Sequence, residues 1–177
     1  MINLNIPTAV LIIDVQNVMF DENYPVHDSL NILKNIKKIE NYALDHKLLT
    51  IYLQHAGGVG SPEEFGTEGW KLHPELSING EVIGKREFEA FKSTKLNLVL
   101  KENKIEQVII CGMQSDYCIQ ANSRASVESG YKTILVKDAH STCDSEEKSG
   151  KEIISSINSE LESSVKLIST EELIQKN

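Results

Sequence analysis

Thr8 to Val15 (TAVLIIDV) is a short, nearly unbroken apolar run that reaches the carboxylate of Asp14, the pattern of a strand covered on both faces. From Asp28 to His46 the period changes. Ile32, Leu33, Ile36, Ile39 and Ala43 recur at helical spacing, with Asp28 or Ser29 available to cap the start. Leu48 to Gln54 reads as a second strand, Val82 to Gly84 as a short third, and Gln107 to Gly112 (QVIICG) as a fourth. Thr94 or Ser93 can cap a helix through Leu96, Leu98, Val99 and Leu100. Tyr117 to Ser129 predicts a helix closed by Gly130, and Thr133 to Val136 a strand. Glu146 to Leu161 has helical character, Val165 to Ile168 is a last strand, and Thr170 to Ile174 a terminal helix.

Between the second and third strands Gly57, Gly58, Gly60, Pro62, Gly66 and Gly69 crowd a stretch without periodicity that also carries Trp70 and His73. It predicts a long excursion, a kind of segment that in compact domains often carries function.

Strands alternating with helices predict a three-layer α/β/α, Rossmann-like fold. Its sheet is mainly parallel with about six strands, joined by right-handed crossovers. No repeat, linker or low-complexity tract divides the chain, so residues 1–177 are expected to form one domain. In such sheets ligands bind at the carboxyl ends of the strands, near the point where strand order reverses. Asp14, Lys85 and the loop from Gly112 to Cys118 all fall at predicted strand ends.

Composition narrows the class of partner. With 177 residues and 40% apolar content the chain can build one sizeable core. A net charge of -8 opposes nucleic acid and anionic membrane surfaces, which leaves a small-molecule substrate as the expected partner. No run approaches the length of a membrane span and no leader pattern stands at the start, so a cytoplasmic location is expected. The three cysteines are an odd number without metal-ligand spacing, and each is expected to be a thiol.

Of the three, Cys111 sits inside an apolar strand as a small hydrophobe, and Cys143 lies in the polar stretch AHSTCDSEE. Cys118 follows a strand and the turn GMQSDY, in the first turn of the next helix. Unsatisfied N–H groups there are expected to lower a thiol pKa and favour the nucleophilic thiolate. Asp14, at the end of an apolar strand, has to meet solvent, a partner or a helix terminus, because isolated buried charge is costly. It can cap a loop, or take the thiol proton and return it to a leaving amine. Lys85 is a solvated surface lysine or the cation beside that thiol.

The joint pattern resembles the isochorismatase-like cysteine hydrolases, the superfamily that includes nicotinamidases and N-carbamoylsarcosine amidohydrolases. The matching pieces are AVLIIDVQN with Asp14, VIGKREFEAFKST with Lys85, VIICGMQSDYCIQANSRASVESGY with Cys118, and VKDAHST, in the family's order. The resemblance implies Asp14, Lys85 and Cys118 as a catalytic triad. It also implies a cis peptide between Met113 and Gln114, with the backbone N–H groups of Gln114 and Cys118 forming an oxyanion hole. The implied activity is cleavage of a carbon-nitrogen bond in an amide, carbamoyl, ureido or lactam group through a thioester on Cys118. A homo-oligomer, dimer or tetramer, is expected on the same ground and because the Gly-rich excursion has little core of its own.

Around the triad Gln16, Phe20, Trp70, Phe91, Tyr117 and His140 are candidates to line a substrate pocket, each equally open to a core role. The metal site of nicotinamidases uses an Asp-x-His pair after the second strand. Here Leu53, Gln54 and His55 stand in that place, and His27, His46, His73 and His140 are scattered, so no metal or other cofactor is expected. TEGWKLHPEL resembles a metal-free branch of the family. Two other readings stay open: a nicotinamidase-type deamidase, and a non-catalytic binding or redox-sensing protein that uses Cys118 as its reactive thiol.

Overall fold

All six residues of β1 (Thr8–Ile13) are buried, which places this strand inside the sheet rather than at its edge. The computed structural model describes residues 6–22 and 26–175, and the other positions of the expected single domain lie outside the described residues. Beside β1 run β2 (Leu49–His55) and β4 (Gln107–Met113), β3 (Glu81–Lys85) flanks β2, and β5 (Lys132–Ser141) and β6 (Lys166–Ile168) continue beyond β4. The order is β3-β2-β1-β4-β5-β6, and every pairing is parallel.

The two-residue alternation of β1 divides the core. Ala9, Leu11 and Ile13 face one layer, formed by α2 (Leu96–Glu102), α3 (Gln120–Glu128) and α4 (Gly150–Leu161). Val10 and Ile12 face the other, formed by α1 (Ser29–Asp45) and α5 (Thr170–Ile174). This is the three-layer α/β/α fold read from the pattern, with strand order reversing between β1 and β4.

Several boundaries differ from the pattern, each for a local reason. Asp28 precedes α1 in a left-handed conformation; its carboxylate caps no backbone N–H and instead accepts from Asn31 Nδ2 at 2.8 Å. Helix α4 begins at Gly150 rather than Glu146, because Ser149 and Glu152 form a reciprocal capping box. Strand β5 runs to Ser141 instead of Val136. Three extra residues bulge out between Leu135 and His140, so that His140 and Ser141 rejoin the ladder beside Gly112 and Met113. Asp138, on that bulge, accepts from both the N–H and the hydroxyl of Thr170 and fixes the start of α5.

The expected helix from Tyr117 is split. Ser115–Ile119 forms a wider turn in which Ile119 N donates to Gln114 O at 3.0 Å, and only then does α3 begin. The Gly-rich excursion folds back over the carboxyl end of the sheet, with Asn17 N bonded to Lys71 O, Val18 N to Gly69 O and His73 N to Val15 O. Among the described residues no helix is long and apolar enough to cross a membrane.

Candidate active site

Asp14 is the first residue after β1 and adopts φ +50°, a left-handed conformation that costs a non-glycine residue about 1–2 kcal/mol. Its N–H donates to Leu53 O at 2.9 Å, which ties this turn to β2. Lys85 is the last residue of β3 and reaches over the end of β2 to Asp14. Lys85 Nζ lies 2.7 Å from Asp14 Oδ2, with side-chain exposures of 0% and 2%. The same nitrogen lies 3.1 Å from Cys118 Sγ and 3.3 Å from Glu87 O. An ammonium has three donors, and these three acceptors engage all of them. Asp14 Oδ1, the other carboxylate oxygen, is buried and unpartnered.

Cys118 is held by the wide turn after β4, and Gly112 makes that placement possible. Gly112 has φ +122°, and a Cβ there would overlap the carbonyl of Ile13 on β1. The Met113–Gln114 peptide is cis. Asn122, fully buried on α3, then locks the thiol against the β3 side of the site. Its Nδ2 donates to Cys118 O at 2.7 Å and Phe88 O at 2.8 Å, and its Oδ1 accepts from Ala90 N at 2.8 Å.

The electrostatics correct one expectation from the sequence. Burial, followed by the Asp14 carboxylate, pushes the Cys118 thiol above its ordinary range, and the opposing pull of Lys85 does not cancel them. The resting state is therefore a neutral thiol beside a lysine-carboxylate ion pair. Lys85 itself is pulled down by burial, but Asp14 and Cys118 more than reverse this and raise it.

Above the thiol a cavity of about 230 Å³ is lined by Asp14, Met19, His55, Glu63, Phe88, Gln114, Tyr117 and Cys118. Of the aromatic and polar candidates only Tyr117 borders it. Phe91 is packed in the core against Tyr131, at a centroid distance of 5.8 Å, and Phe88 instead lines the cavity with Cys118. Gln16 is fully buried, bonded to His55 N and O and to Trp70 O, and so braces β2 against the excursion. Phe20 packs on His73 at 4.4 Å. Trp70 borders a neighbouring cavity of about 490 Å³ that also touches Lys85.

His140 is buried behind the site. Its Nε2 lies 3.0 Å from Asn158 Oδ1, whose amide nitrogen donates to Lys137 O, so Nε2 carries the proton. Nδ1 then accepts from Ser115 Oγ at 2.8 Å, and burial pushes the imidazole down to about 4. It braces the turn that carries Cys118.

Met19, Glu63 and Phe88 were not singled out from the sequence. They lie on segments without regular spacing, where the pattern does not tell a cavity wall from an ordinary loop. His55 stands out in the sequence only by its place at the nicotinamidase metal position. Among the described residues no three His, Cys, Asp or Glu side chains converge as metal ligands, and the position two before His55, where nicotinamidases carry the aspartate of their pair, is Leu53.

Comparison with known proteins gives the family of the chain. The family model described as isochorismatase domain matches residues 8–155. The chain is 29% identical over 138 residues to a streptothricin hydrolase of Streptomyces noursei, covering 77% of this chain and 50% of that protein. It thus spans about half the length of the streptothricin hydrolases it matches. It is 31% identical over 140 residues to the isochorismatase family protein YddQ of Bacillus subtilis, covering 76% of this chain and 78% of that one. An isochorismatase from Pseudomonas putida superposes with a TM-score of 0.90 at 24% identity, over 98% of this chain and 92% of the other, and shares the fold. The chain belongs to the isochorismatase family of hydrolases.

Proposed function

We propose that this protein is a cysteine amidohydrolase that cleaves the carbon-nitrogen bond of a small amide, carbamoyl, ureido or lactam group, with Asp14, Lys85 and Cys118 as its catalytic residues. The observation that carries the reading is that one buried ammonium touches both Asp14 Oδ2 and Cys118 Sγ at the floor of a ligand-sized cavity. Similarity to a streptothricin hydrolase supports a carbon-nitrogen bond as the target.

Because the resting thiol is neutral, its proton leaves as the sulfur attacks. Asp14 takes the proton, and Lys85 keeps the developing thiolate charge compensated in a dry site. The sulfur adds to the carbonyl carbon, and the N–H groups of Gln114 and Cys118 hold the resulting oxyanion. Collapse breaks the carbon-nitrogen bond, and Asp14 returns its proton to the departing nitrogen, which leaves an acyl thioester on Cys118. Asp14 then deprotonates a water molecule that attacks the thioester. The acid is released and the proton goes back to sulfur, so the cycle consumes one water and needs no external acid or base.

A redox-sensing role is less well supported, since sensor cysteines are exposed and acidic, whereas Cys118 is 6% exposed and shifted upward. The test is ammonia release from a panel of primary amides and ureides, with Cys118→Ala as control. Release by the wild type and its loss in the variant support the reading; equal rates in the two proteins refute it.

A further inference from the structure

We propose that Glu63, together with the exposed rings of Phe88 and Tyr117, forms a subsite for a cationic group on the substrate, so that the enzyme prefers amides bearing an ammonium or guanidinium. The inference rests on the amidohydrolase reading for what happens at Cys118, but the subsite stands on its own geometry.

The charge balance of the cavity comes first. Asp14 and Lys85 cancel as an ion pair, and Cys118 is a neutral thiol. Burial, and then the charge of Lys85, hold His55 below its ordinary value, which keeps it neutral near pH 7. Glu63 is the remaining acidic side chain of the lining, so the cavity is left with one carboxylate that no lining cation compensates.

Glu63 is also held in place. Its carbonyl accepts from Gly57 N at 3.0 Å, and a Cβ on Gly57 would stand 2.7 Å from Glu63 Cγ and 3.1 Å from Cδ. Any other residue at 57 would displace this side chain. The excursion therefore lays the carboxylate over the glycine and presents it to the cavity.

Two other residues of the same lining are aromatic. Phe88 is 53% exposed and Tyr117 47% exposed, although both border a site whose floor is buried. Their centroids are 5.3 Å apart with planes tilted by 52°, and His55 stacks on Phe88 at 6.4 Å. Aromatic rings and a carboxylate that line one cavity favour a cation there, since both attract positive charge and neither suits an anion. His55, which lines the same cavity, has its Nδ1 buried and without a hydrogen-bond partner in the protein. The net charge of -8 draws cations toward the molecule as a whole.

The test titrates the full chain by calorimetry, in a Cys118→Ser background that prevents turnover, with three primary amides of matched length. These are γ-guanidinobutyramide, its branched-alkyl neutral isostere and the monoamide of glutarate. The guanidinium amide is expected to bind about tenfold more tightly than the neutral one and the glutarate monoamide most weakly. Glu63→Gln is expected to collapse the ratio toward one, and Glu63→Lys to reverse it in favour of the glutarate monoamide, a reversal that a merely structural role for Glu63 would not produce. Equal affinities, a preference insensitive to either substitution, or failure of the cation to bind at millimolar concentration would overturn the subsite. Charge-selective binding without ammonia release by the wild type would keep the subsite and remove the amidohydrolase reading. Ammonia release without charge selectivity would do the reverse.

Discussion

Lys85 Nζ and Asp14 Oδ2 meet at 2.7 Å with almost no solvent access to either side chain, one at the end of β3 and the other at the end of β1. Removing one member of such a pair strands the other charge, so Lys85→Met or Asp14→Ala is expected to cost about 3–5 kcal/mol, whereas Asp14→Asn with Lys85→Met recovers much of that loss. Chemical denaturation of the two single variants and the double variant checks this. The double variant should be folded and inactive. The pair also sets an alkaline limit. With the Lys85 pKa raised in the folded state, its contribution is complete below the unfolded value of about 10.4 and is lost as pH rises through the folded value. Stability of the wild type should therefore fall in that range more steeply than stability of the double variant.

The protonation state of Cys118 gives a second prediction. Iodoacetamide labelling of Cys118, followed by peptide mass spectrometry, should rise with a midpoint above the ordinary thiol value of about 8.5. Asp14→Asn should move the midpoint down by removing a neighbouring negative charge, and Lys85→Met should move it up. A wild-type midpoint near neutrality would mean that the thiolate is preformed and that Asp14 does not act as its base.

His140 makes the fold acid-sensitive. The unfolded imidazole takes a proton near 6.5, while the buried one resists until about 4. Stability is therefore fully present above about 6.5 and declines as pH falls toward 4, by up to about 3 kcal/mol. In His140→Gln, which cannot be protonated, the melting temperature should change less over that interval. An unchanged pH dependence would assign the acid sensitivity elsewhere.

How much of this was legible in the sequence depended on periodicity. Runs such as AVLII and VIICG are apolar at every position because both faces of β1 and β4 are covered, and that signal survives without coordinates. The positions of Asp14 just after β1 and of Cys118 in the turn beyond β4 follow from it, whereas Lys85 ends the edge strand β3, whose burial is only partial. Phe88 and Phe91 could not be told apart, because Asn122, 31 positions further along from Phe91, fixes the backbone between them. Glu63 is hidden in a glycine-rich stretch whose fold is set by contacts with Val15, Asn17 and Val18 beyond β1, and with Gly57, rather than by its own spacing. The direction of the Cys118 shift is not legible in the sequence for a related reason. Position near a helix start is visible in a sequence, but the degree of burial and the closeness of a carboxylate are not.

We also propose a homo-oligomer, dimer or tetramer. Val59 and Phe65, on the excursion, are 97% and 68% exposed, a large apolar display for a segment with little core of its own. Light scattering at micromolar concentration should give a mass that is a multiple of 19.8 kDa. A single species at that mass would contradict the proposal.

The central claim is that Cys118 carries the acyl group. Intact-mass spectrometry of wild-type protein, acid-quenched while it turns over a slow amide, reads this directly. The account predicts a mass increase equal to the acyl fragment, mapped to the peptide containing Cys118, and no adduct or ammonia release from Cys118→Ala. Ammonia release at the wild-type rate by Cys118→Ala, with the protein mass unchanged throughout, would contradict it.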